Sequence, residues 1–158
     1  VSEAAWSALA GVSDPELPFL DVVDLGVVRD VRCEAEGTTV VITPTYSGCP
    51  ALEIIEEEVA KALEGAGFGP VAVERQLAPA WTTDWITERG KALLSEHGIA
   101  PPGPVPEEGA LVTLRVPVPC PRCGSKRTEE LSRFGSTACK ALHRCLACEE
   151  PFDAVKPL

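Results

Sequence analysis

The chain has 158 residues, of which 45% are hydrophobic and 24% charged, and a net charge of −10. That composition supports a packed core, excludes wholesale disorder, and argues against a nucleic-acid partner, whose phosphates would select a basic face. No run approaches the ~20 apolar residues that cross a bilayer, so no membrane partner is expected.

Ser2–Ala10 reads as a short helix with Ser2 as N-cap and Gly11 beyond its end. Asp14-Pro15-Glu16-Leu17-Pro18 follows, where two prolines three apart forbid regular structure and predict an ordered loop. Two carboxylates, Asp14 and Glu16, are thereby held close together, a pattern that an ordinary Asp-Pro turn also explains. Gly26–Glu34 and Thr38–Thr43 are β-branched and flank Glu36-Gly37, which predicts a hairpin. Cys33, among valines, is expected in the core.

Cys49-Pro50 opens the next segment. Proline suits a first helical position, which makes Cys49 the expected N-cap, where the helix dipole favours a thiolate. The alternative for Cys49 is a small buried side chain. Leu52, Ile55, Val59, Ala62 and Leu63 share one helical face, and Thr43 and Thr45 add hydroxyls near the cysteine. Val71–Leu77 predicts a third strand. Trp81 and Trp85 are expected to pack, a further helix runs to Gly98, and His97 stands near its end.

Ala100–Gly109 is rich in proline and reads as a linker. Three segments are therefore predicted: an α/β domain over 1–99, a linker over 100–109, and a small domain over 110–158 that opens with a strand over 111–118. Residues 1–109 carry a balance of −13 and residues 110–158 a balance of +3.

The last segment holds two CxxC turns, Cys120–Cys123 and Cys145–Cys148. Each turn offers two corners of a tetrahedron, and the pair closes a four-thiolate metal site, with zinc favoured over iron or a cluster. A domain of about 45 residues buries little core, and a structural metal supplies the missing folding energy. Cys139 is left as an extra thiol, a spare, a substitute ligand or part of a second site, and His143 is expected at the surface. Seven cysteines in this spacing, without an opening signal peptide, predict a reducing cytoplasmic setting rather than disulfides.

The combination of Asp14-Pro15-Glu16-Leu17-Pro18, Val23-Asp24-Leu25-Gly26-Val27-Val28 and Thr43-Pro44-Thr45-Tyr46-Ser47-Gly48-Cys49-Pro50 resembles the small α/β family that serves iron–sulfur cluster assembly, to which SufT-like proteins belong. Trp81-Thr82-Thr83-Asp84-Trp85-Ile86, Gly98-Ile99-Ala100-Pro101-Pro102, Phe134–Lys140 and Cys148–Asp153 extend the resemblance to the PaaD family, accessory subunits of the phenylacetyl-CoA epoxidase system of aerobic phenylacetate degradation. The resemblance implies an α+β fold: a small mixed α/β domain with a hairpin and packed helices, then a zinc ribbon. It implies a non-catalytic maturation factor that handles iron or an iron–sulfur cluster transiently at Cys49, with Asp14, Glu16 and Thr43 nearby. The partners implied are the epoxidase reductase and catalytic subunits, and a homodimer is left open. The competing expectation is a zinc-dependent scaffold that docks epoxidase subunits without handling iron. A thiol enzyme is disfavoured because neither His97 nor His143 stands in a motif that would activate Cys49.

Overall fold

The computed structural model describes residues 3–46, 48–105 and 117–158. The chain forms two compact units, one of residues 1–81 with 85–87, the other of 82–84 with 88–158.

In the first unit, α1 (Glu3–Leu9) precedes the hairpin of β1 (Val28–Glu34) and β2 (Gly37–Ile42). The strands pair antiparallel, with Val31 opposite Val40 and Glu34 opposite Gly37. β3 (Val71–Arg75) joins the other edge of β2 in parallel. Parallel neighbours cannot be joined by a tight turn, and α2 (Leu52–Gly65) makes the crossover. The central strand is the most buried of the three, and Val40 and Ile42 are fully enclosed. Leu52, Ile55, Val59 and Leu63 of α2 and Ala5 and Leu9 of α1 complete the core. The 3.6-residue spacing in α2 thus marks its buried face.

Two aspartates shape the loop between α1 and β1. Asp14 Oδ1 accepts the backbone N–H groups of Glu16 and Leu17, each at 2.8 Å. Asp21 Oδ1 does the same for Val23 and Asp24, at 3.0 and 2.7 Å. These are Asx turns, in which a short carboxylate stands in for a backbone acceptor. Gly26 closes the loop at φ +71°, where an added Cβ would lie 2.6 Å from the Trp85 carbonyl oxygen. The position therefore admits glycine on two counts, backbone and space. Trp81 is buried and donates its indole N–H to the Leu25 carbonyl at 3.1 Å, and the Arg29 guanidinium lies 3.6 Å from the Trp85 ring centre. Both tryptophans pack, as expected.

The second unit contains α3 (Glu88–Glu96) and an antiparallel sheet of β4 (Thr128–Ser132), β5 (Lys140–Cys145) and β6 (Pro151–Val155). Ala100 is fully buried beside β6: its N–H donates to Asp153 and its carbonyl accepts from Val155. Ala100 and α3 therefore sit in the second unit, whereas the sequence pattern placed α3 in the first domain and Ala100 in the linker. The expected strand over 111–118 falls mainly outside the described residues; Pro117 and Val118 are not in a strand. Among the described residues no helix is long and apolar enough to cross a membrane.

Cys33 and His143 depart from expectation. Cys33 is half-buried, because in the β1–β2 register it stands opposite Thr38 near the hairpin turn. His143 is 8% exposed and stacks on Phe152 with ring centres 5.6 Å apart. Burial lowers its pKa, against an opposing pull from Glu130.

Candidate metal centres

The first CxxC turn precedes β4, and the second connects β5 to β6. Antiparallel pairing of β5 with its neighbours brings the two turns to one end of the ribbon. All four sulfurs of Cys120, Cys123, Cys145 and Cys148 lie within 4.8 Å of one another. Cys120 and Cys148 are 3.8 Å apart and Cys123 and Cys145 are 3.6 Å apart. Corners of a tetrahedron with ~2.3 Å metal–sulfur bonds lie about 3.8 Å apart. The cluster fits one tetrahedral ion.

The backbone is folded to feed this site. Gly124 donates its N–H to the Cys120 carbonyl at 2.8 Å and takes φ +72°. The second turn repeats the device with Glu149 at φ 63°, a left-handed conformation that strains a side chain. The N–H groups of Cys148 and Ala147 point at Cys145 Sγ, at 3.5 and 3.4 Å. With Cys148 N–H leading, they pull the Cys145 thiol down to about 6. The Glu150 N–H pulls Cys148 the same way, but desolvation and the Cys145 sulfur push that thiol up to about 12. Four adjacent sulfurs cannot all carry charge unaided, and a divalent cation removes the conflict. Cys120 and Cys145 are buried with Ala100, Phe152 and Ala154, so the site and the small apolar core are one object. Cys139 lies outside the four-sulfur group; it is half-buried, with its sulfur 3.1 Å from Thr137 Oγ1.

Cys49 is differently placed. Helix α2 begins at Leu52, with Ala51 as N-cap, so Cys49 is not the cap. It lies in a turn: its N–H donates to Tyr46 and its carbonyl accepts from Leu52, both at 3.2 Å. The expected thiolate stabilisation is overturned as well. Burial pushes the Cys49 thiol up, the Ala51 N–H and the Thr45 hydroxyl pull it back, and Glu16 and Asp14 raise it further. Half-burial removes water from the charged form faster than two hydrogen bonds replace it.

Asp14 and Glu16 are thus within electrostatic reach of Cys49. Their roles differ: Asp14 is 6% exposed with one oxygen committed to its turn, while Glu16 is exposed. Thr43 is 1% exposed at the end of β2, and its hydroxyl has no hydrogen-bond partner among the described residues. Ala51 was beyond sequence reasoning, since a backbone N–H carries no side-chain signature.

Residues 2–74 match the family model described as iron-sulfur cluster assembly protein, and residues 105–156 match the PaaD zinc beta ribbon domain. A protein of Escherichia coli (strain K12) assigned as a subunit of 1,2-phenylacetyl-CoA epoxidase is 48% identical over 96% of this chain and 90% of its own length. The Fe-S protein maturation auxiliary factor YitW of Bacillus subtilis (strain 168) is 36% identical over 56% of this chain and 84% of its own. Among solved structures, a DUF59 domain of Bacillus anthracis matches with a TM-score of 0.54 at 29% identity, covering 57% of this chain and 87% of that one. The domain order, the four-sulfur cluster and the near-complete alignment agree, and the chain belongs to the PaaD family of 1,2-phenylacetyl-CoA epoxidase subunits.

Proposed function

We propose that this chain is a non-catalytic, cytoplasmic accessory factor that binds iron, as an ion or a cluster, transiently at Cys49 and passes it to the reductase or the di-iron subunit of a phenylacetyl-CoA epoxidase. Zinc fills the four-cysteine site and has a structural role. Two similar proteins named as Fe-S protein maturation auxiliary factors support an accessory role in maturation, and the one named as an epoxidase subunit supports the client. The observation that carries the reading is the contrast in ligand supply. Cys49 has one thiol, an exposed carboxylate at Glu16 and a second carboxylate at Asp14 within electrostatic reach. A mixed, incomplete donor set binds iron without enclosing it, which suits a metal that must leave again. Thr43, whose hydroxyl has no hydrogen-bond partner among the described residues, is the remaining member of the proposed site.

The test is to co-express epoxidase catalytic subunits and reductase with this protein, with Cys49→Ser, or with neither, and to measure iron and acid-labile sulfide in the purified clients. Full clients with the wild-type protein and empty clients with Cys49→Ser are expected, and the deficient client identifies the recipient. Equal filling in all three preparations would reject metal delivery and favour the scaffold.

A further inference from the structure

The ribbon carries an apolar surface that its metal site does not explain. Phe134, between β4 and β5, is 72% exposed, and Leu131 is 50% exposed three residues earlier. Beside Phe134 runs an open groove of about 470 Å³, with Leu142, Pro151 and Phe152 as its apolar lining and Ser136 and Asp153 as its polar lining.

An exposed phenylalanine on a slack loop would be unremarkable. This one is held. The Ser132 hydroxyl donates to the Phe134 carbonyl at 2.9 Å and accepts the Phe134 N–H at 3.1 Å. Gly135 donates its N–H to the Lys140 carbonyl at 2.8 Å, and Ser136 donates its hydroxyl to Asp153 Oδ2 at 2.7 Å. A Cβ on Gly135 would lie 2.5 Å from Asp153 Oδ1, so the loop is drawn onto β6 as closely as a glycine allows. The backbone on both sides of Phe134 is fastened while the ring faces water. Such preorganisation lowers the ordering cost of binding.

Two basic residues lie beside Phe134, apart from the Arg144–Glu129 ion pair on the same sheet. Arg133 is exposed, and Lys156 lies 5.1 Å from the Phe134 ring centre and donates to the Arg133 carbonyl. The one acidic residue in the lining, Asp153, is already engaged by Ser136 and stands 3.9 Å from the buried ammonium of Lys140. Two cations with no ion pair of their own among the described residues thus lie next to Phe134, Lys156 in space and Arg133 in the chain.

We propose that this groove docks an acidic segment of a partner protein, seating one large apolar side chain against Phe134 and Phe152 with its flanking carboxylates on Arg133 and Lys156. Such docking does not depend on whether Cys49 handles iron.

The test uses the full zinc-loaded chain and two fluorescent eight-residue peptides, each with a central Leu-Phe pair, one flanked by glutamates and the other by lysines. The glutamate peptide is expected to bind, to weaken with added salt, and to shift the amide resonances of Phe134, Leu142 and Phe152. Phe134→Ser and Arg133→Glu should each weaken it about tenfold or more, with zinc content unchanged. Arg133 is exposed, so its variant reports even if Phe134→Ser fails to hold zinc. Equal binding of both peptides, no binding at millimolar concentration, or resonance shifts elsewhere would overturn the proposal. Self-association abolished by Phe134→Ser would also overturn it, assigning the groove to a second copy.

Discussion

The two units both contain cysteines, but they place them differently. In the ribbon, four sulfurs converge within 4.8 Å and two of their residues belong to the buried core. In the first unit Cys49, half-buried, stands within electrostatic reach of Glu16 and Asp14, and the core of Val40, Ile42, Val59 and Leu63 is built without it. The contrast teaches two ways to hold a fold: in the ribbon the sulfur cluster is part of a small apolar core, while in the first unit apolar burial suffices.

The largest effect that would break this comparison is metal removal. Stripping the ribbon with a chelator, or Cys145→Ser, should unfold residues 117–158 and leave the first unit folded, since structural zinc supplies about 10–16 kcal/mol in small domains near neutral pH. Amide dispersion and zinc content report it; a ribbon still folded without metal would erase the contrast. Acid should do the same. Cys148, at about 12 when metal-free, holds a proton that the metal must displace, so affinity falls as pH falls.

Next in size is the reciprocal change. Leu63 is fully buried in α2, and Leu63→Ala should destabilise the first unit by about 2–5 kcal/mol without changing bound zinc. Thermal unfolding of the two units, followed separately by residue-resolved NMR, checks it.

A smaller effect sharpens the chemical side. Because burial raises the Cys49 thiol, it is protonated at neutral pH, and alkylation should be slow there. The rate should climb about tenfold per pH unit until it levels off above the ordinary thiol range. Thr45→Val, which removes a hydrogen bond to the thiolate, should move that plateau to still higher pH. A Cys49 that alkylates fully ionised at pH 7 would contradict the geometry.

Smallest is Glu149→Gly. At φ 63° glycine removes strain from the second knuckle, and stability should rise by up to about 1 kcal/mol, seen as a small upward shift in the ribbon's unfolding midpoint. A loss of stability would mean that the Glu149 side chain contributes more than its backbone strain costs.

The parts of this molecule legible in the chain were those with short-range causes. The hairpin is visible in two β-branched runs about Glu36-Gly37, and the buried face of α2 in its 3.6-residue spacing. The four-sulfur site is visible because two residues between cysteines bring both sulfurs to one side of a turn. Cys49 was misread for an equally local reason. Pro50 fits a first helical position, but the turn from Tyr46 to Leu52 delays the helix by two residues. Helix ends depend on which backbone groups find partners, and neighbouring sequence does not specify them.

By itself, then, the sequence determined the α+β class, the four cysteines that cluster and the acidic first segment, because each follows from periodicity, spacing or count. Only the tertiary structure decided that Ala100 pairs with β6, that His143 is stacked rather than exposed, that burial raises the Cys49 thiol, and that Phe134 stands exposed beside a groove. Each of those depends on which side of a strand faces which neighbour and how much water is left there. Strand register and solvent exclusion are set between residues far apart in the chain, here by pairs such as Ala100 with Ala154 and Gly135 with Asp153.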